Sequence, residues 1–167
     1  MNYLSNIKPI ETKYAGHLFR SRLEARWAKF FDVLEITWAY EQEGYDLGSV
    51  GYYLPDFVLP GVYYRTTLLT GWIAEVKPVT AFNIKLDTLC VQLQKPGILL
   101  GAEKVKQSGY EQHGDFADYD MGFLKCESCG TNKIDWETKY IDCQCCGGYM
   151  SEVPAINAAN IANSIRF

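Results

Sequence analysis

The spacing of hydrophobic residues predicts one amphipathic helix near the start of the chain. In the stretch FRSRLEARWAKFFDVL, from Phe19 to Leu34, apolar side chains recur at i, i+4, i+7, i+8 and i+11 counted from Leu23, which is the spacing of one helical face. No proline or glycine interrupts the stretch, and Gly16 lies just ahead of it. We therefore expect a helix here with one apolar face.

Shorter apolar stretches bounded by glycine or proline predict strands and a second helix. EITWAYEQEGYDL, GYYLPDFVLP and LLTGWIAEVKP are rich in β-branched and aromatic residues, which favour strands. FNIKLDTLCVQLQK has near-helical spacing, and KPGILLGA is typical of a buried strand. The order helix, three strands, helix, strand predicts an α+β (mixed α/β) layered domain.

The last third of the chain is less regular. From about Gly101 to Asp120 the sequence is polar and predicts mostly loop. The tail VPAINAANIANSIRF predicts a helix after Pro154 that packs back on the core. Its expected apolar positions are Ile156, Ala159, Ile161, Ala162 and Ile165.

Composition is that of a globular protein with one domain and a small appendage. The 167 residues are 48% hydrophobic and 14% aromatic, enough to bury a core. No apolar run approaches the roughly 20 residues that span a bilayer, and MNYLSNIKPIETK lacks the apolar region of a secretory signal. We expect a cytoplasmic protein with no membrane partner.

Charge is unevenly distributed. The net charge of −4 argues against a general nucleic-acid coat protein. Residues 1–30 nevertheless carry six basic and two acidic side chains. This asymmetry permits one basic face on an acidic protein, and a solvated helix surface explains it equally well.

Three charged residues lie inside stretches that otherwise predict buried strands, namely Asp56, Glu75 and Lys77. An unpaired charge removed from water costs several kcal/mol. Glu75 and Lys77 project from one face of their strand, about 6–7 Å apart, and a hairpin would place Asp56 beside Glu75. Two adjacent carboxylates repel each other, and a divalent cation removes that repulsion. Oxygen ligands in a watered site suit Mg²⁺.

A fourth residue, Glu24, lies on the first predicted helix. With Leu23 set at 0° and about 100° per residue, Trp27 falls near 40°, Phe31 near 80° and Glu24 near 100°. Glu24 is therefore at the border of the apolar face, and Arg20 falls near 60°, inside it. An Arg–Glu pair in that position indicates something polar beneath the helix.

Each of these residues also has an ordinary structural interpretation. Glu75 and Lys77 fit an exposed pair on a solvated strand face, and Asp56 fits a turn after Pro55. Glu24 alone is typical of a helix surface, and single arginines are usually solvated. The functional interpretation depends on their occurring together.

The combination resembles a known family. Pro55-Asp56 and Glu75-Val76-Lys77 form the pattern P-D-x18-E-x-K, preceded by a helical glutamate, and this is similar to the PD-(D/E)XK nuclease superfamily. The resemblance covers roughly residues 14–101 and implies a restriction-endonuclease-like αβββαβ core. FRSRLEARWAKFFDVLEITWAYEQEGYDL also resembles the opening of small phage and bacterial members, which implies a bacterial or phage-infected cytoplasm.

The resemblance implies a metal-dependent deoxyribonuclease that hydrolyses phosphodiester bonds. Asp56, Glu75 and the carbonyl of Val76 would bind Mg²⁺ (or Mn²⁺), with Glu24 joining directly or through water, and Lys77 would orient the nucleophile. Phosphate contacts would come from Arg20, Arg22 and Arg26. The partner would be DNA, with a second copy of the chain as a candidate because duplex cutting needs two sites. Endonuclease, exonuclease and junction- or end-specific activity all stay open.

The cysteines predict a second metal site. Cys126, Cys129, Cys143 and Cys146 form C-x2-C-x13-C-x2-C, and a glycine follows each pair. The segment resembles a zinc ribbon, and four thiolates close the coordination shell, so this Zn²⁺ would be structural. Cys145 is surplus, or exchanges with Cys143 as a ligand. Cys90 is expected in the core.

We therefore divide the chain into a nuclease core (1–122), a four-cysteine zinc ribbon (123–150) and a C-terminal helix on the core (151–167). Two other functions stay open. The chain could be a nucleic-acid-binding module with this fold and no catalysis, or a zinc-ribbon adaptor whose partner is a protein.

Overall fold

The computed structural model describes residues 8–64, 70–77, 82–101, 108–111, 120–135 and 141–167. Within these ranges the chain is mixed α+β, with helices α1 (Arg22–Leu34), α2 (Ile84–Leu93) and α3 (Val153–Ser164) and a 3-10 turn at Gly48–Val50. The strands are β1 (Thr12–Tyr14), β2 (His17–Phe19), β3 (Ala39–Tyr40), β4 (Tyr45–Asp46), β5 (Tyr52–Tyr53), β6 (Phe57–Tyr64), β7 (Thr70–Lys77), β8 (Gly97–Gly101), β9 (Ser108–Glu111), β10 (Asp120–Cys126), β11 (Asn132–Asp135) and β12 (Met150–Ser151).

The central sheet has eight strands, in which β7 and β8 are parallel and joined through α2. Strand β6 pairs antiparallel with β7, and its register shifts between Leu59 and Tyr63. Beyond that shift β6 pairs in parallel with β11, through Tyr63 opposite Lys133. This last pairing closes the six strands from β6 to β11 into one ring of hydrogen-bonded neighbours. Strands β1–β2 and β4–β5 form two small separate hairpins.

The predicted apolar face of α1 faces the main core. Its side chains Trp27, Phe30 and Phe31 are fully buried and contact Phe57 and Phe123 of the sheet. The helix begins after Ser21, which caps it by accepting a hydrogen bond from the Glu24 N–H. Such a cap fixes where a helix starts, and here it fixes the position of Glu24 as well.

Strand β7 is buried on both faces, so its sequence shows no simple alternation. Trp72, Ala74 and Val76 belong to the core under α1, whereas Ile73 belongs to a second cluster under α2. Glu75 points to the same side as Ile73 because strand side chains alternate. A charged residue is thus placed in the interior between the sheet and α2.

Helix α2 approaches β8 closely at Gly97. A Cβ atom there would lie 2.5 Å from the sulfur of Cys90, closer than non-bonded atoms approach. Glycine is therefore required by this contact. Cys90 is fully buried, which confirms its predicted place in the core.

Three local predictions need correction. The stretch EITWAYEQEGYDL forms only the two-residue strands β3 and β4. Strand β9 lies inside the region predicted as mostly loop, of which 102–107 and 112–119 are outside the described residues. In α3 the predicted Ala159 and Ala162 are buried, but Ile156 and Ile161 are 37% and 45% exposed, and Ala155 and Ala158 complete the buried face. Helix α3 contacts α1, and small side chains allow such close approach between helices.

The cysteine segment is continuous with the sheet. Strand β10 pairs with β9, β11 and β12, and it contributes Cys126 at its end. Residues 123–135 therefore lie partly in the ring described above. Among the described helices, none has the length and apolar character needed to cross a bilayer.

Candidate functional site

A cleft of about 820 Å³ opens where the start of α1, the link between β5 and β6, the end of β7 and the start of α2 meet. Its floor is charged and buried, since Asp56 is 2% exposed and Glu75 is 4% exposed. Lys77, Arg20 and Glu24 also line it. The sequence predicted that these five side chains would lie together, and this cleft is where they meet.

Sheet register brings Asp56 next to Glu75. Phe57 pairs with Ala74 in the antiparallel β6–β7 ladder, so the preceding residue on β6 falls opposite the following residue on β7. The Val76 N–H donates to Asp56 Oδ2 at 2.7 Å. On its other side, the Asp56 carbonyl accepts from the Glu41 N–H at 2.9 Å. The Val76 N–H thus fixes the carboxylate of Asp56, and the Glu41 N–H fixes its backbone.

Glu75 is held from both of its oxygens. Lys77 Nζ lies 2.6 Å from Oε1, as expected for residues two apart on one strand face. The Tyr53 hydroxyl donates to Oε2 at 2.8 Å. Burial and the adjacent Glu75 charge raise the pKa of Tyr53, so this phenol stays protonated and is a permanent donor. Tyr53 could not be identified from the sequence, because it is one of many aromatic residues in and around GYYLPDFVLP.

Burial and the neighbouring carboxylate of Glu75 shift the pKa of Asp56. Burial, and then the neighbouring Glu75 charge, raise the pKa of Asp56 from 3.8 to about 7, although the Val76 N–H and Arg20 oppose the shift. A strongly raised carboxylate pKa in a cleft is typical of functional sites. Near neutral pH the floor therefore takes up positive charge readily, either as a proton or as a cation.

Glu24 is 7% exposed and is already well bonded. Its carboxylate accepts from the Ser21 hydroxyl at 2.7 Å, the Tyr40 hydroxyl at 2.5 Å and the Arg20 N–H at 3.1 Å. Within the described part of the chain, the carboxylate oxygens of Glu24, Asp56 and Glu75 do not all lie within 4.8 Å of one another. The geometry thus gives Glu24 a clear role in fixing the start of α1. The sequence Ser21-x-x-Glu24 is a capping-box signal for that role.

The three arginines differ in position. Arg20 Nη2 pairs with Asp56 Oδ1, and its Nε lies 2.6 Å from Glu41 Oε1. Arg22 is exposed, and Arg26 is half-buried with no hydrogen-bond partner for its Nε among the described residues. Neither is among the described residues that line the cleft. Arg20 alone of the three is placed to meet a ligand there.

The four predicted cysteines converge. The ligand sulfurs of Cys126, Cys129, Cys143 and Cys146 all lie within 4.8 Å of one another. The Cys126–Cys146 and Cys129–Cys143 sulfur distances are both 3.6 Å, close to the ~3.8 Å edge of a tetrahedron with 2.3 Å Zn–S bonds. Cys145 is exposed and outside the group. The cluster could hold a structural metal such as zinc.

The backbone around the cysteines fits thiolate ligands. Gly130 and Gly147 both have positive φ and close equivalent turns onto the carbonyls of Cys126 and Cys143. A hydrogen bond to the Thr131 hydroxyl lowers the pKa of Cys129 to about 6. Because zinc binds the deprotonated sulfur, a lowered thiol pKa favours metal binding at neutral pH.

No family model, curated protein or solved structure matches this chain. The molecule is therefore characterised by its two sites, a buried pair of carboxylates in an open cleft and a group of four cysteines at the end of the sheet.

Proposed function

We propose that the chain is a Mg²⁺-dependent DNA nuclease with a restriction-endonuclease-like core. One observation carries the proposal, which is that Asp56 and Glu75 are adjacent and buried on the floor of an open cleft. Such a pair is unfavourable on its own, and it is the donor set that a hard divalent cation prefers. Within the central sheet the order α1, β3, β6, β7, α2, β8, with β7 and β8 parallel, supports the same fold type.

In this proposal Asp56, Glu75 and the Val76 carbonyl hold Mg²⁺ or Mn²⁺. The bound ion would supply polarisation of the phosphate and a water of lowered pKa. Tyr53 keeps Glu75 in one orientation. The Lys77 side chain is 45% exposed, so it can leave Glu75 and donate to a phosphate oxygen or to the attacking water. Arg20 binds the adjacent phosphate.

The cysteine cluster takes a structural role in this proposal, with Zn²⁺ as its ligand. Lys125, one residue before Cys126, donates to the Leu34 carbonyl at 3.0 Å and pairs with Glu35 at 2.5 Å. Asn132 donates to the same carbonyl at 3.2 Å. The cluster thus secures the last turn of α1, whose opposite end lines the cleft.

Cleavage assays test the proposal directly. Linear, circular and branched DNA are incubated with the purified protein in Mg²⁺ and in EDTA. Glu75→Gln removes one carboxylate while its amide can still bond to Tyr53, so we expect metal-dependent cutting to fall at least 100-fold in a folded variant. Glu127→Gln, an exposed acid on the cysteine segment, makes the same charge change and should cut normally. Equal cutting by Glu75→Gln and wild type, or cutting that persists in EDTA, contradicts the proposal.

One contact favours a second candidate, a nucleic-acid-binding module without catalysis. Arg20 already neutralises Asp56 in the absence of a metal, so the cleft has an internal cation. This candidate predicts DNA binding with no cleavage and no effect of Mg²⁺ on thermal stability. Isothermal titration of Mg²⁺ into the protein separates the two, because only the nuclease requires a saturable site that Glu75→Gln removes.

A further inference from the structure

The charged floor of the cleft is surrounded by large apolar side chains that face solvent. Tyr52 is 77% exposed, Phe82 61%, Ile84 53% and Leu54 40%, and all four line the cleft. An exposed apolar patch beside polar groups is typical of a surface that binds a ligand. We call these four residues the apolar rim.

The two aromatic rings of the rim stand on fixed supports. Tyr52 belongs to β5, and Phe82 immediately precedes Asn83, whose side chain caps α2 through the N–H groups of Lys85 and Leu86. Lys85 Nζ donates to the Tyr52 carbonyl at 2.9 Å, which joins the two supports. Neither ring contacts another aromatic ring among the described residues, in contrast to the many stacked rings of the main core. More than half of each side chain is exposed and accessible to a ligand.

We propose that the apolar rim binds the unpaired bases of single-stranded DNA, which stack on Tyr52 and Phe82 while Arg20 and Lys77 receive the phosphates below. This inference rests on the proposed function, because it names the substrate of the same cleft. In a duplex the faces of each base are covered by its neighbours, so a protein ring reaches them only in a single strand. The cleft thus selects unpaired or frayed segments over continuous duplex.

Charge supports this choice of substrate. The chain has a net charge of −4, and among the described residues three cations line the cleft, namely Arg20, Lys77 and Lys85. The first two are already paired with acids. Duplex binders that follow the backbone need many more phosphate contacts. Affinity here must come mainly from stacking, and log K should fall with log salt at a slope no steeper than about −2.

Binding measurements in buffer without Mg²⁺ test this inference without cleavage. Fluorescence anisotropy compares a labelled single strand, the same sequence as a duplex, and the same strand with abasic sites. We expect the single strand to bind at least 10-fold more tightly than the duplex. Tyr52→Ala and Phe82→Ala should each weaken single-strand binding about 5- to 100-fold, whereas Tyr52→Phe keeps the ring and the affinity. The abasic strand should bind weakly and be insensitive to Tyr52→Ala.

Tyr149→Ala is the matched control, because Tyr149 is 49% exposed but lies on the cysteine segment away from the cleft; it should bind like wild type. Equal affinity for duplex and single strand, or no loss in either rim variant, overturns the inference. So does a wild-type dimer that Phe82→Ala dissociates, since a second copy would then cover the rim. Failure of the nuclease proposal has a different signature, namely intact Tyr52-dependent binding with no Mg²⁺-dependent cutting.

Discussion

Replacing Glu75 by glutamine should stabilise the metal-free protein at neutral pH, although it removes a residue that we place at the centre of function. The reason is the raised pKa of Asp56, from 3.8 to about 7, caused by burial first and by Glu75 second. Below about pH 4 the Asp56 carboxyl is protonated in both the folded and the unfolded chain. Between pH 4 and 7 the folded chain retains a proton that the unfolded chain releases. Stability therefore falls as pH rises through this window and levels off above it.

The magnitude follows from the same shift. At about 1.4 kcal/mol per pKa unit, the whole shift corresponds to on the order of 4 kcal/mol. Glu75 is the second cause after burial, and we assign it a part of this shift on the order of 1–2 kcal/mol. The Glu75–Lys77 ion pair is also lost, but a pair whose lysine is 45% exposed contributes little to stability. The pH-dependent part of the difference thus isolates the repulsion between the two acids.

Urea unfolding in buffer without Mg²⁺, at several pH values between about 4.5 and 8, measures this effect. The stability of Glu75→Gln relative to wild type should increase by about 1–2 kcal/mol from the lowest to the highest pH. Glu127→Gln should show no such trend. A difference that is flat with pH, or that grows in favour of wild type, would refute the reasoning that Asp56 and Glu75 repel each other.

Two further predictions concern the cysteine cluster and the contact between α2 and β8. Cys143→Ser should abolish binding of one zinc ion as observed by native mass spectrometry and should destabilise the fold by several kcal/mol, whereas Cys145→Ser should retain the ion; the reverse result would exchange the two ligands. Gly97→Ala places a methyl group 2.5 Å from the Cys90 sulfur and should cost about 1–3 kcal/mol in urea unfolding. Gly44→Ala, where the nearest atom to the new methyl group is the Tyr53 carbonyl oxygen at 4.0 Å, should change stability by less than about 0.5 kcal/mol.

Features that depend on a regular spacing of residues along the chain could be predicted from the sequence. The apolar stripe of α1 and the cysteine spacing are local signals, and both match the structure. The short lengths of β3 and β4 could not be predicted, because the limits of a strand depend on its pairing partners elsewhere in the chain. Likewise, nothing local distinguishes the isoleucines of α3 from its alanines as the buried set; the close contact with α1 decides it.

The candidate site shows the same division. The pairing of Glu75 with Lys77 follows from strand geometry, so the sequence could predict it. From the sequence, Arg20, Arg22 and Arg26 are all candidates for phosphate contacts, and only Arg20 falls inside the apolar face. In the structure α1 begins at Arg22, and Arg20, just before the helix cap, is the one of the three that lines the cleft. Tyr53 reaches Glu75 because the β4–β5 hairpin packs with Ile73 of β7 in one cluster, which no local pattern encodes.

The pairing of β11 with β6 also affects how the chain folds during synthesis. The Tyr63 end of β6 pairs with Lys133, 70 residues later in the chain, so this end of the strand lacks that neighbour until Lys133 has been synthesised. Before that point has been synthesised, the nascent chain has an unpaired strand edge, which favours association with other chains. Because β11 lies between the two cysteine pairs, availability of zinc during synthesis would decide whether that edge is closed in time, and cells starved of the metal should accumulate this protein in insoluble form.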